Sequence, residues 1–310
     1  MIDFKKIACG VALGLALTAS PLAAQEELRM GTASLGGAFY PVGQAASNLV
    51  NKYAEGFTMV PVVTAGGTEN PRLIGSGEVD FAIGNANTSY FASQGEDPYA
   101  DPIAISSIGT LHNSVLHIVT LAGSDVTSIA DLKGKRIAVG PAGGGTLNLL
   151  ADVMALSGVS FGDITPSFVS YSDGFSQLSD GAVDVAVALS GYPAGAVIQT
   201  STTADIAFID IGAEGLAEIM QEHPYYSIVE VPADAYGTDA PLTMLGTKNI
   251  LITQADADEE KVYQVTKAIY DHLDEFAAEN ANALQIVTED AYDIAVPLHP
   301  GAKRYFDERQ

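Results

Sequence analysis

Short apolar runs and longer helical stretches alternate along the chain from residue 28 onward. Residues 28–33 read as a strand, and Phe39–Tyr53 as a helix, with Val42, Ala46, Leu49 and Val50 recurring at helical spacing. Residues 59–64 form the second predicted strand. A helix beginning near Glu69 turns Leu73 and Ile74 inward and closes at Gly75 and Gly77, ahead of a third strand over 79–83. Two more apolar runs, 103–108 and 115–121, are rich in β-branched residues. The second of them is expected to leave a first lobe, with a hinge near residue 118.

Residues 136–140 continue as a strand, followed by glycines 143–145 and a helix over 146–156. The runs 183–189 and 205–209 keep the alternation going, and the extended segment 226–231 returns the chain to the first lobe through a second hinge near 232. Val262, Val265, Ile269, Leu273 and Phe276 predict one amphipathic helix over 256–280, with Asp256 as cap and Glu259 as its capping-box partner. Alternating units of this kind indicate an α/β fold with mostly parallel sheets flanked by helices. The expectation is two such lobes with a ligand cleft between them: 25–117 with 233–310 as lobe 1, and 118–232 as lobe 2. The chain has no low-complexity tract or short repeat, so solenoid and disordered readings lack support.

The N-terminal pattern differs. Lys5 and Lys6 precede an apolar run over 7–17, then Pro21, Ala23 and Ala24, which together read as an export signal cleaved near Ala24. The run is shorter than the roughly 20 residues a spanning helix needs, so the mature chain is expected to be soluble and periplasmic. Cleavage removes Cys9, the single cysteine, and with it any disulfide, thiol nucleophile or thiolate metal site. With 14 Lys and Arg against 38 Asp and Glu, the net charge of −24 makes nucleic acid and anionic membranes poor partners. Acidity of this kind keeps an exported protein dispersed and says little about its ligand.

Candidate chemistry sits in five turns at strand ends, each rich in Gly, Ser, Thr or Asn. They contain Ser34, Gly36, Gly37, Phe39 and Tyr40; Thr68 and Asn70; Asn85 and Asn87; Gly144, Gly145 and Thr146; and Tyr192 after Ser190 and Gly191. Open α/β sheets bind ligands at these ends, where exposed N–H groups and helix dipoles receive an anion without a basic side chain. An ordinary tight connection accounts for any one turn; five together favour a binding cleft. The Gly-rich turn before Thr146 lacks the preceding lysine of a phosphate loop, which argues against nucleotide. No G-x-S-x-G elbow occurs, and His112, His117, His223, His272 and His299 lack metal-ligand spacing, so no catalytic residue, metal or cofactor is assigned. His117, in the crossing strand, is retained as a donor to an anion.

The segments GTASLGGAFYPVG (31–43), TAGGTENPRLIGSGEVDFAI (64–83), DLKGKRIAVGPAGGGT (131–146), HPYY (223–226) and PLHPGAKRYFDE (297–308) resemble the TAXI class of solute-binding proteins, which serve tripartite ATP-independent periplasmic (TRAP) transporters. The resemblance implies a type II-like periplasmic binding protein fold, a monomer, and small and large membrane subunits as partners that import using a sodium gradient. It implies a small carboxylate as ligand, glutamate among the candidates, held around residues 34–40, 68–70, 85–87 and 144–146. Phe39 stands where Tyr is common, Asn85 and Asn87 where Gln and Asp are common, and Gly144 where Ser is common. The neutral Asn87 turns the expectation toward a carboxylate without a free amine. The arginine clamp of the DctP class has no counterpart, Arg72 and Arg136 being read as surface residues. A binding protein for an ABC importer or sensor kinase is the nearest alternative; an enzyme on the same fold and a surface adhesin are more distant ones.

Overall fold

The computed structural model describes residues 25–288, 291 and 294–309, so the export signal read in residues 1–24 lies outside the described residues. The first half carries β1 (Glu26–Gly31), α1 (Phe39–Tyr53), β2 (Phe57–Val62), α2 (Asn70–Ser76), β3 (Phe81–Asn85), α3 (Ala86–Gln94) and the long β4 (Ile105–Leu121). There follow β5 (Arg136–Ala138), α4 (Thr146–Ala155), β6 (Thr165–Ser167), α5 (Tyr171–Ser179), β7 (Val185–Ser190), α6 (Gly195–Ser201), β8 (Ile206–Phe208) and α7 (Ala213–Glu222). The chain closes with β9 (Ser227–Val231), β10 (Leu242–Gln254), α8 (Glu259–Tyr270), α9 (Leu273–Glu279) and α10 (Pro300–Asp307).

One mixed sheet runs through the molecule in the order β2-β1-β3-β10-β4-β7-β5-β6, with β8 beside β4 and β9 beside β10. β1 lies parallel to β2 and β3, the strands being joined by crossovers through α1 and α2. β10 runs antiparallel to both β3 and β4. On the other side β5 is parallel to β6 and β7, while β4 runs antiparallel to β7 and β8. In one half β10 runs against β1, β2, β3 and β4; in the other β4 and β9 run against β5, β6, β7 and β8.

Burial follows the same division. Two apolar clusters cover the two faces of one sheet region and draw on residues 28–111 and 250–306. In the first of them α1 sinks Phe39, Val42, Leu49 and Val50 onto Met30 and Ile83, each such side chain contributing about 1.5–3 kcal/mol. Two other clusters, built on α4 and α5, draw on residues 116–226 and on Leu245. The exchange between the halves comes where Val115 pairs Gly246.

Three expectations need correction. The runs 103–108 and 115–121 belong to the single strand β4, because pairing with β10 keeps the polar stretch between them extended, and Tyr270 Oη donates to the Thr110 carbonyl at 2.6 Å. The helix expected over 256–280 is two helices, broken at Asp271 and His272, where the Asp271 carboxylate meets Lys267 and Arg309 and the His272 ring stacks on Tyr53 at 3.5 Å. Its cap is Asp258, whose carboxylate accepts from Lys261 N at 2.8 Å, in place of Asp256.

β4 buries His112 and His117 completely, and desolvation pulls their imidazolium pKa down to about 3 and about 4. Burial moves His299 the same way. With folded values below 6.5, these rings stay neutral in the fold while the unfolded chain takes up protons. The stability they contribute is present above pH 6.5 and is lost as pH falls toward 3–4, about 1.4 kcal/mol per unit for each fully buried ring. Melting curves from pH 7.5 to 5.0 are expected to show a fall in melting temperature that is flatter in His112→Gln/His117→Gln than in the parent; an equal fall would remove these two rings as the cause.

Candidate functional site

The lobes face each other across a cleft whose walls are mostly main chain. Gly37, Ala38 and Phe39 come from the turn after β1, and Ala65, Gly66 and Gly67 from the turn after β2. Asn85 closes β3; Gly144, Gly145, Tyr171 and Leu189 form the opposite wall. None of these side chains is charged. The space enclosed is about 10 Å³, close to that of one water molecule, so this is a shut cleft that a solute enters only when the lobes part.

Backbone groups seal it. Ala38 N donates to Ser190 Oγ at 2.9 Å, Ser172 N to the Leu35 carbonyl at 3.2 Å, and Ala196 N to the Gly36 carbonyl at 2.9 Å. Thr68 N and Glu69 N both donate to the Gly143 carbonyl, at 3.2 and 3.0 Å. Glycine permits this approach. A Cβ added at Gly145 would lie 2.3 Å from Asn85 Oδ1, and one at Gly191 would lie 2.2 Å from Asn282 Oδ1 and 2.7 Å from His112 Cδ2.

Three helices begin at this cavity with no side-chain cap, α1 at Ala38, α3 at Asn85 and α4 at Gly145. Tyr171, the first residue of α5, lines it as well, but Ser170 caps that helix and Ser172 N donates to the Leu35 carbonyl. The uncapped first turns and their partial positive charges suit an anion held without Lys or Arg.

Of the residues expected at the site, Gly37, Phe39, Asn85, Gly144 and Gly145 line the cavity. Ser34 is buried at its edge, with an Oγ that has no partner among the described residues. Gly36 takes a positive φ of 94° in the seam, and Thr68 Oγ1 donates across it to the Gly144 carbonyl at 3.4 Å. Tyr40, half-buried in α1, is not among the lining residues. Asn70 is used structurally: Nδ2 donates to the Thr32 and Ile83 carbonyls at 2.7 Å each, and Oδ1 accepts from Thr64 Oγ1. Thr146 Oγ1 pairs with Tyr171 Oη at 2.6 Å, and Tyr171 Oη donates to the Leu189 carbonyl. Asn87 Oδ1 accepts from Thr247 Oγ1, with Nδ2 buried and unpartnered among the described residues.

His117 and Tyr192 lie elsewhere. Both His117 nitrogens are taken, by the Ala188 carbonyl at 3.2 Å and Tyr236 Oη at 2.6 Å, so neither points into the cleft. Tyr192 packs beside Val115, Val231 and Met244. Sequence reasoning passed over Tyr171, a first-turn aromatic with no motif to mark it, and His112, whose ring meets Phe39 edge-on at 5.8 Å with both nitrogens unpartnered among the described residues.

The profile of the NMT1-like family matches residues 30–309, nearly the whole described chain. This protein belongs to the NMT1-like family. Solved structures share its fold: a Listeria monocytogenes putative L-cystine ABC transporter protein at 13% identity, covering 84% of this chain and 96% of its own, with a TM-score of 0.53. A Xanthomonas citri protein bound to ATP matches at 10% identity over 91% and 95%, with a TM-score of 0.51. An ancestral arginine-binding protein bound to arginine matches at 16% over 83% and 94%, with a TM-score of 0.50. This NMT1-like chain thus has the two-lobed binding-protein architecture, and among its described residues no helix is long and apolar enough to cross a membrane.

Two substitutions separate closure from stability. Gly145 has ordinary helical φ of −68°, so Gly145→Val acts through steric contact, chiefly with Asn85 and secondarily with Leu189; small-angle scattering is expected to show a larger radius of gyration than the parent, and an unchanged value would mean that closure does not need this approach. Asn70→Ala removes the side-chain donor to the Ile83 carbonyl of β3 and one of the donors to the Thr32 carbonyl, and is expected to lower unfolding free energy in urea by about 1–3 kcal/mol.

Proposed function

We propose that this protein is an extracytoplasmic solute-binding protein that captures a small carboxylate between its lobes and delivers it to a membrane transporter. The observation that carries this reading is the presence of three uncapped helix N-termini, those of α1, α3 and α4, at a cavity with no charged side chain. A carboxylate there accepts from preorganised N–H groups, and the low local dielectric strengthens each bond. The fold shared with binding proteins of importers and the export signal read in residues 1–24 support the same conclusion. We assign the lobe boundary to the point where Val115 pairs Gly246, in place of hinges near 118 and 232, so that 116–245 form the second lobe, with Ser34, Gly36, Gly37, Phe39, Asn85, Gly144 and Gly145 nearest the ligand.

The TAXI-like segments favour a TRAP membrane complex as recipient. A second reading, delivery to an ABC importer, is favoured by the structural match to the Listeria protein. Uptake of the bound solute by cells that keep a sodium gradient but lack ATP supports the first; uptake that fails without ATP supports the second.

Capture is tested by native mass spectrometry of the purified protein, then by melting against a carboxylate panel. A bound acid released on unfolding, and stabilisation of about 2.7 kcal/mol at a hundredfold excess over Kd, are the expected results. A protein that neither carries nor responds to any carboxylate overturns the ligand class.

A further inference from the structure

The Asn85 carboxamide is wedged between glycines of the two opposite walls. A Cβ on Gly67 would fall 2.0 Å from Asn85 Oδ1, and one on Gly145 2.3 Å from it, so the oxygen rests against both glycine backbones at the cavity. Its partner nitrogen is committed elsewhere. Asn85 Nδ2 donates to Asn249 Oδ1 at 2.9 Å, and Asn249 Nδ2 donates to Ser114 Oγ at 2.9 Å. All three residues are at least nine-tenths buried, so nothing in bulk water competes for these bonds.

The orientation has a physical reason. Glycine Cα–H groups complement a carbonyl oxygen, whereas an amide nitrogen placed there would press its own N–H groups against them. The relay reaches the cleft through a bulge: Lys248 pairs Asn113 but Ile250 pairs Thr110, leaving Leu111 and His112 opposite Asn249 alone.

The cavity therefore offers two unlike functions. The helix N-termini provide donors, and Asn85 Oδ1 provides a fixed acceptor. A solute that satisfies both carries an anionic group and a hydrogen-bond donor. An oxo group would meet Oδ1 acceptor to acceptor, and a bare methylene would leave it unpaired. No carboxylate lines the cavity to neutralise an ammonium group, which leaves a hydroxyl as the fitting donor.

We infer that Asn85 is a specificity-determining residue that selects hydroxyl-bearing carboxylates over their oxo and unsubstituted counterparts, with Asn249 and Ser114 as positioning residues that hold its oxygen toward the cleft. This rests on the carboxylate reading of the same cavity. Isothermal titration of the parent chain, Asn85→Leu and Asn249→Leu with lactate and pyruvate, and with 2-hydroxyglutarate, 2-oxoglutarate and glutarate, tests it. In the parent, the hydroxy acid of at least one set is expected to bind about tenfold more tightly than its counterparts. Asn249→Leu should bring that ratio below about threefold while the acids still bind; a purely structural role would lower the melting temperature and weaken all acids alike, leaving the ratio intact. Equal binding in the parent, or preference for the oxo acid, overturns the inference and leaves carboxylate capture standing, whatever the variants do. Binding of no acid in the panel by the parent overturns both.

Discussion

Seventeen residues of β4 and thirteen of β10 run past each other in opposite directions, and each strand belongs to one apolar core at one end and to the other core at the other. Where the cores give way, both strands carry polar side chains. Ser114, Thr247 and Asn249 fill that middle stretch, and every one is buried. Buried amides and hydroxyls demand partners, and they find them in one another and in Asn85 and Asn87. The polarity of this middle stretch, which reaches the cavity through Asn85, thus accompanies two strands that serve two cores. His112, at the bulge in the same pairing, is the one ring in that stretch whose nitrogens have no partner among the described residues.

The same feature explains what the amino-acid pattern revealed and what it hid. α1 was legible to the residue, since its apolar positions repeat at helical spacing and its ends are marked by a turn and by Tyr53. β1, β2 and β3 were legible with ends displaced by about two residues, the usual reach of an apolar run beyond its ladder. β4 was read as two runs and β10 was not read at all, because polar residues at their centres break the alternation that marks a strand. The break between α8 and α9 was invisible for the opposite reason: the apolar spacing continues across it. In the site, glycine turns were recognisable because backbone approach leaves a mark on composition. His117 and Tyr192 were misplaced because a polar residue near a strand end looks the same whether it faces a cleft or a neighbouring tyrosine.

Charge divides between surface and site. The chain carries a net −24, yet many of its carboxylates are spent on exposed pairs such as Arg136 with Asp184 and Lys261 with Glu26, or on caps such as Asp258, and none lines the cavity. At long range the protein repels an anion; within the cleft, helix ends attract one. Salt screens the first over about 8–10 Å and hardly reaches the second once the lobes shut. On the proposed function, selectivity among anions is decided after encounter, by shape and hydrogen bonding.

Walls built from glycine and main chain have a bearing on how such a protein changes over time. Removing side chains from a surface that has few of them alters little, so truncation surveys would find most of this cleft silent even under the binding role proposed for it. Only gains of bulk are felt, and they are felt as failure to shut. Drift in ligand preference is thereby channelled through very few positions, and a lineage could keep the same cleft shape through long sequence divergence while exchanging one carboxamide for another group.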